Sequence, residues 1–209
     1  MRFAAAFLLG AFVLGAPDLV HLSLSPRSAA ASTFVELSLA ELVSKSTLVV
    51  AATPLDSRSL WEDSEGGHGR RIVTYTRLQV DRVVDGPVAS GELWVRTLGG
   101  QVDDIGQHVD GEAVLPYQQP SLLFLRARPD GTHAVVGMGQ GSYPLEAPSL
   151  GSPLRITPPR ALGRLVPKVV PQGQVAPSPS DLPARLALAG QTLDAAAKLV
   201  QAERRLHAP

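Results

Sequence analysis

The sequence predicts a mainly β protein: a small antiparallel barrel of five or six strands, with a short N-terminal helix and a C-terminal helix. Glycine (19) and proline (18) are both abundant in the 209 residues, which favours many turns and short strands over a helical bundle. Apolar runs of strand length recur between turn-forming clusters from Ser46 to Leu145. Closing such strands into a barrel hides edges that would otherwise stay open to aggregation.

The N-terminus predicts export. Met1-Arg2 is followed by an apolar stretch, Phe3 to Leu14, of about a dozen residues, inside the ~7–15 of a signal-peptide core. A bilayer span takes about 20. Ser28-Ala29-Ala30-Ala31 offers a small-residue cleavage site before Ser32. The expected organisation is a signal peptide over 1–31, a β-barrel domain over 32–146, a Pro-rich linker or strap over 147–191 and a helix over 192–207. The mature chain is then expected in the periplasm or outside the cell, with no membrane span after signal cleavage. Cysteine is absent, which excludes a disulfide framework, a lipid-bearing Cys anchor and thiol chemistry.

Along the mature chain, Ser38-Leu39-Ala40-Glu41 has the form of a capping box, and Leu39, Leu42 and Val43 follow at helical spacing. A two-turn helix over Ser38 to Lys45 is expected. Ser46 to Thr53 reads as a buried strand ended by Pro54, and Leu55 to Arg70 as a polar, mobile loop. Arg71 to Val84 alternates with period two: Ile72, Thr74, Thr76, Leu78 and Val80 share one face; Val73, Tyr75, Arg77, Gln79 and Asp81 share the other. Glu92 to Leu98 is the next strand, and Gly99-Gly100 ends it with an expected positive φ. Ser121 to Ala127, Thr132 to Met138 and Ser142 to Leu145 complete the strands, with Pro129-Asp130-Gly131 as a turn. Thr192 caps an Ala-rich helix with Asp194 in its first turn and Arg204, Arg205 and His207 in its last, as the helix dipole favours.

Few classes of chemistry find support. Lys plus Arg and Asp plus Glu both number 19, and aromatics make up 5%, so neither a polyanion-binding surface nor a base-stacking platform is indicated; no nucleic-acid partner is expected. There is no H-E-x-x-H, and Gly141-Ser142-Tyr143 does not match G-x-S-x-G. Gly137-Met138-Gly139-Gln140-Gly141 is not a G-x-G-x-x-G loop and reads as a bulge or barrel corner. No catalytic residue, cofactor or metal is assigned, and no enzyme is expected.

Two groups remain as candidate binding residues. The loop from Gln101 to Gly111 and its edge hold Asp103, Asp104, His108, Asp110 and Glu112; clustered carboxylates suit hard cations, although they also hold turns. Trp94 and Arg96 lie opposite Leu93 and Val95 on one strand. If the latter two face the core, Trp94 faces outward and calls for a cover: the C-terminal helix, the Pro-rich strap or a protein partner. The expected function is an exported, non-enzymatic module binding a protein or envelope component. The alternatives are a protease-associated inhibitor or chaperone, and a metal-dependent hydrolase built on the acidic loop 101–112.

Several stretches together, LAELVSKSTLVVAA, RIVTYTRLQVDRVVDG, ELWVRTLGG, SLLFL and HAVVGMGQGSYPL, resemble uncharacterised exported bacterial proteins with an OB-like barrel. That group is distantly similar to netrin-like modules and tissue inhibitors of metalloproteinases. The resemblance covers about residues 33–145. It implies a five-stranded barrel with flanking helices, and binding rather than catalysis. Inhibitors of that type place an N-terminal cysteine on the catalytic zinc; this chain has none, so no functional residue is carried over.

Overall fold

The computed structural model describes residues 33–64, 67, 69–87, 91–160, 162, 164–166 and 181–207, all within the unit Ala31–Pro209. The expected signal peptide over 1–31 and its cleavage site lie outside the described residues.

The chain is mainly β. Strand β1 (Thr33–Val35) leads into α1 (Leu39–Lys45), whose capping box forms in both directions: Glu41 N donates to Ser38 Oγ at 3.2 Å and Ser38 N donates to Glu41 Oε2 at 3.0 Å. Satisfying these otherwise orphaned donors fixes the start of so short a helix. Strand β2 (Leu48–Asp63) follows, then β3 (Arg70–Asp85), β4 (Glu92–Leu98), β5 (Gly100–Val102) and β6 (Ile105–Gln107). Strands β7 (Ser121–Ala127) and β8 (His133–Val135) lead through a 3-10 turn at Met138–Gly141 to β9 (Ser142–Glu146).

Five strands form a closed circuit. β2 pairs with β3, β3 with β4, β7 with β8 and β7 with β2, all antiparallel; β4 and β8 close the ring with a parallel pairing at Val95–His133. Alternate residues of all five strands, among them Val50, Leu78, Val95, Leu123 and Val135, meet in one buried cluster. The intervening residues of β2 and β7 (Val49, Ala51, Leu122, Phe124) face a second cluster. There they meet α1, the short helix α2 (Ala184–Leu188) and the C-terminal helix α3 (Leu193–Leu206). The period-two alternation that defines a strand thus serves two cores on opposite sides of one sheet.

Two sequence expectations are corrected. Residues 55–70 do not form a loop: β2 runs on through Pro54 to Asp63 and pairs with β3 as far as Arg70, so only residues 64–69 lie between the two strands. Pro54 is tolerated because the register shifts between Pro54 and Asp56, and its carbonyl accepts instead from Gln118 N at 2.9 Å. The polar residues after it are those of a half-solvated strand. The run Thr132 to Met138 is a strand only over His133–Val135, because Gly137 and Met138 take left-handed φ of 66° and 58°. Within residues 147–191, β10 (Arg155–Ile156) extends the sheet beside β9, β11 (Arg164–Val166) pairs parallel to β1, and α2 packs under α1. Residues 167–180 of that segment lie outside the described residues.

Thr192 caps α3 through Ala195 N. Ala196, Ala197 and Val200 are buried against the second cluster, which contains no β4 residue. Arg204 fastens the far end: Nε donates to Asp85 Oδ2 at 2.8 Å, and the guanidinium also donates to the Ser46 carbonyl at 2.9 Å.

Candidate functional site

The outer face of β2, β3 and β4 carries both residues singled out on β4. Leu93 and Val95 point into the ring core, as alternation requires, which turns Trp94 and Arg96 outward. Trp94 stands opposite Arg77 and is 41% exposed; α3, docked in the other cluster, does not cover it. Arg96 is different: only 7% exposed, it is not an open binding group. Its guanidinium donates twice to Glu62 Oε2, at 3.1 and 2.5 Å, and Tyr75 donates its hydroxyl to Glu62 Oε1 at 2.5 Å. The Arg96 hydrogen bonds hold the Glu62 carboxyl below its ordinary range. Arg77 is likewise engaged, bridging Asp56 at 2.5 Å and Glu92 at 3.1 Å. Arg70 sits 5.6 Å from the ring centre of Trp61. Arg96 and Arg77 are thus both engaged by carboxylates, and Trp94 is left as an exposed ring between them.

The acidic loop is a tight hairpin rather than an open loop. β5 and β6 pair Gly100 with Gln107 and Val102 with Ile105, and Asp103 takes a φ of 52° at the turn. Asp103 and Asp104 are exposed at its tip, and His108 lies exposed beyond its end, 3.2 Å from Asp110. Among the described residues, no three His, Cys, Asp or Glu side chains gather in a metal-holding group. The short hairpin keeps the tip aspartates at one end and His108 at the other.

The hairpin does build a groove beside it. Ser57, Thr76 and Val95 form one cross-strand row on the inner face, and Ser59, Thr74 and Thr97 the next. At this end of the ring the alternation that supplies Leu78 and Val95 to the core supplies hydroxyls instead. Thr74 Oγ1 donates to the Gly99 carbonyl at 2.7 Å and lies 2.9 Å from Ser59 Oγ. Gly99 and Gly100, with φ of 87° and 129°, fold the chain back over this row. A Cβ on Gly100 would run into Thr74 Oγ1 and Ser59 Oγ, so only glycine allows the close approach. Gln107 secures the hairpin through an amide oxygen that accepts from Ile72 N at 2.7 Å.

The segment that returns from the hairpin closes the groove's far wall. The groove measures about 250 Å³ and is lined by Ser57, Thr74, Thr76 and Thr97 on the strand side and by His108 and Glu112 on the returning side. Glu112 is placed by its backbone contacts: Leu98 N donates to Oε2 at 3.1 Å and Ala113 N to Oε1 at 3.0 Å. Burial outweighs these two bonds and raises the carboxyl's pKa above its ordinary value. Among the described residues no basic side chain makes an ion pair with it. A smaller recess of about 160 Å³, bounded by Val114, Pro116, Pro144 and Pro159, touches Glu112 from the other side.

Of the five candidate residues, His108 lines this groove, Trp94 and Arg96 lie on the opposite face of β4, and Asp103 and Asp104 stand apart at the hairpin tip. Sequence reasoning grouped Glu112 with the acidic loop and passed over the hydroxyls. The available signal was Thr74 and Thr76, which interrupt the apolar face of β3 between Ile72 and Leu78. No protein-family model matches the chain, and no curated protein matches it.

Proposed function

We propose that this protein is an exported, non-enzymatic binding module built on an OB-type barrel, and that it holds a protein or envelope component in the hydroxyl-lined groove at the mouth of the ring. The fold reading is supported by the circuit β2–β3–β4–β8–β7, in which three consecutive antiparallel strands close through a parallel β4–β8 pairing, a five-stranded Greek-key order. It agrees with the resemblance to netrin-like modules. The functional reading is carried by one observation: a groove of about 250 Å³ at the end of a closed core, where hydroxyls, the His108 imidazole and the Glu112 carboxyl stand among aliphatic side chains such as Leu98, Val109, Val114 and Leu115. Binding sites favour concave surfaces bearing a few placed polar groups. Among the described residues lining the groove, the imidazole of His108 lies 3.2 Å from Asp110.

Ser57 is exposed on the rim, so Ser57→Trp fills the groove without disturbing the core. Wild type, Ser57→Trp and Trp94→Ala, each immobilised, are exposed to envelope extract. A species retained by wild type and Trp94→Ala but lost from Ser57→Trp is the expected result. Loss only with Trp94→Ala would move the site to the outer face of β4.

A further inference from the structure

We infer that the groove recognises an extended segment of a partner protein, which adds as a strand to the free edge of β2 and places a lysine or arginine side chain against Glu112. The inference rests on the groove being the binding site and adds the chemical class of its occupant.

The first ground is backbone geometry. β2 pairs with β7 only over Leu48–Ala52, and Gln118 N takes the Pro54 carbonyl just beyond. From Leu55 to Asp63 the other edge of β2 remains bonded to β3, but on this edge no strand pairs among the described residues. An unpaired edge offers a row of backbone donors and acceptors to an incoming strand. It is not an indiscriminate edge: the bulge at Pro54–Asp56 and the charges of Asp56 and Arg58 break up flat, hydrophobic pairing. An occupant therefore needs side-chain recognition as well.

The groove supplies that recognition. Ser57, on the inner face of this edge, forms part of its lining. Side chains of an added strand alternate between faces, so the residue registered against Ser57 points into the groove. There it meets Thr76 in its own row, Thr97 in the next row, and Glu112. Both Glu112 oxygens accept one backbone N–H each, and each retains a further acceptor position. A half-buried carboxylate that makes no ion pair among the described residues, with Arg96 acting on it only through its field, is complemented by an ammonium or guanidinium. Surrounding hydroxyls accept the remaining N–H groups of either head.

The probes are blocked seven-residue peptides of alternating threonine and valine, with Lys, Arg, norleucine or Glu at the centre. Binding is followed by amide NMR shifts of the whole folded domain. The expected result is that the Lys and Arg peptides bind at least tenfold more tightly than the norleucine peptide. They should shift the amides of Leu98 and Ala113 and slow exchange along Leu55–Glu62. In Glu112→Gln, with an unchanged strand spectrum by circular dichroism, the Lys peptide should bind no better than norleucine. If that variant does not fold, Ser57→Trp serves instead and should abolish binding of the Lys and Arg peptides. Equal binding of Lys and norleucine peptides overturns the cation, and so does a Lys preference that survives Glu112→Gln. Shifts confined to the face around Trp94, or no peptide bound at millimolar concentration, overturn strand addition. In that last case a species still lost from Ser57→Trp in envelope extract would leave the groove as the site of another ligand class.

Discussion

Replacing Arg96 by alanine separates a binding role from an architectural one. The side chain is 5% exposed and its Glu62 partner 24%, so the pair lies between a surface ion pair and a fully buried one. Exposed pairs contribute about 0.2–1 kcal/mol. A single net hydrogen bond to a charged group contributes about 1.5–3 kcal/mol. With two donations to Glu62 Oε2 and a third to Oε1 from Tyr75, a coupling of about 2 kcal/mol is expected between Arg96 and Glu62. The total for Arg96→Ala is then about 3 kcal/mol, because the truncation also empties a packed position. Urea unfolding of wild type, Arg96→Ala, Glu62→Gln and the double variant gives the cycle. With a slope of about 2 kcal/mol per molar, the single arginine variant should lose about 1.5 M in midpoint. The Glu62 pKa is lowered in the folded state, so its contribution is present above the unfolded carboxyl value and lost as pH falls through the folded one. The coupling should shrink correspondingly in acid. A coupling below about 0.5 kcal/mol at pH 7, or one unchanged at pH 3, would refute the assignment of Arg96 to the architecture of the β2–β3–β4 face.

Gly100→Ala forces a Cβ into Thr74 Oγ1 and Ser59 Oγ at a φ of 129°; a cost of about 2 kcal/mol lowers the melting temperature by about 4–8 °C, whereas Gly106→Ala, in open space, should be silent. Arg204→Ala removes the donations to Asp85 and the Ser46 carbonyl; about 1–3 kcal/mol should be lost, with faster hydrogen exchange along α3 than along β7. His133 is half-buried where β8 meets β4, its Nδ1 has no hydrogen-bond partner among the described residues, and burial holds its pKa below the ordinary imidazole value. Its stabilising contribution is therefore complete above the unfolded value near ~6.5 and falls as pH drops toward the folded one. Melting curves of wild type and His133→Gln should diverge below about pH 6.5; parallel curves from pH 7.5 to 5 would refute the point.

Local signals were read where one stretch of chain contains its own cause. Ser38 and Glu41 satisfy each other's backbone across three residues, and Thr192 Oγ1 accepts from Ala195 N at the start of α3, so both helices start where the sequence places them. β4 and β7 have the bounds expected from the alternation of the first and the continuous apolar run of the second. The extension of β2 past Pro54 was not legible, because what admits the proline is a bulge and a distant donor, Gln118 N. The candidate site was only partly legible for the same reason. Trp94 is exposed as alternation implies, but Arg96 shares its face and is buried, since Glu62 reaches it from a stretch that reads as loop.

The sequence by itself determined the mainly β character, the two capped helices, the alternating faces of β3 and β4, and the glycine pair that turns the chain after β4. These follow from periodicity and backbone freedom, which act over a few residues. Only the tertiary structure decided that β8 closes the circuit against β4, that α3 docks on the side away from Trp94, and that Glu112 faces a groove rather than the aspartates of its own loop. Each depends on pairings between segments tens of residues apart. Glu112 shows the difference most directly: in the chain it is one acidic residue among several, and what singles it out is the backbone of Leu98 and the hydroxyls of β3 folded around it.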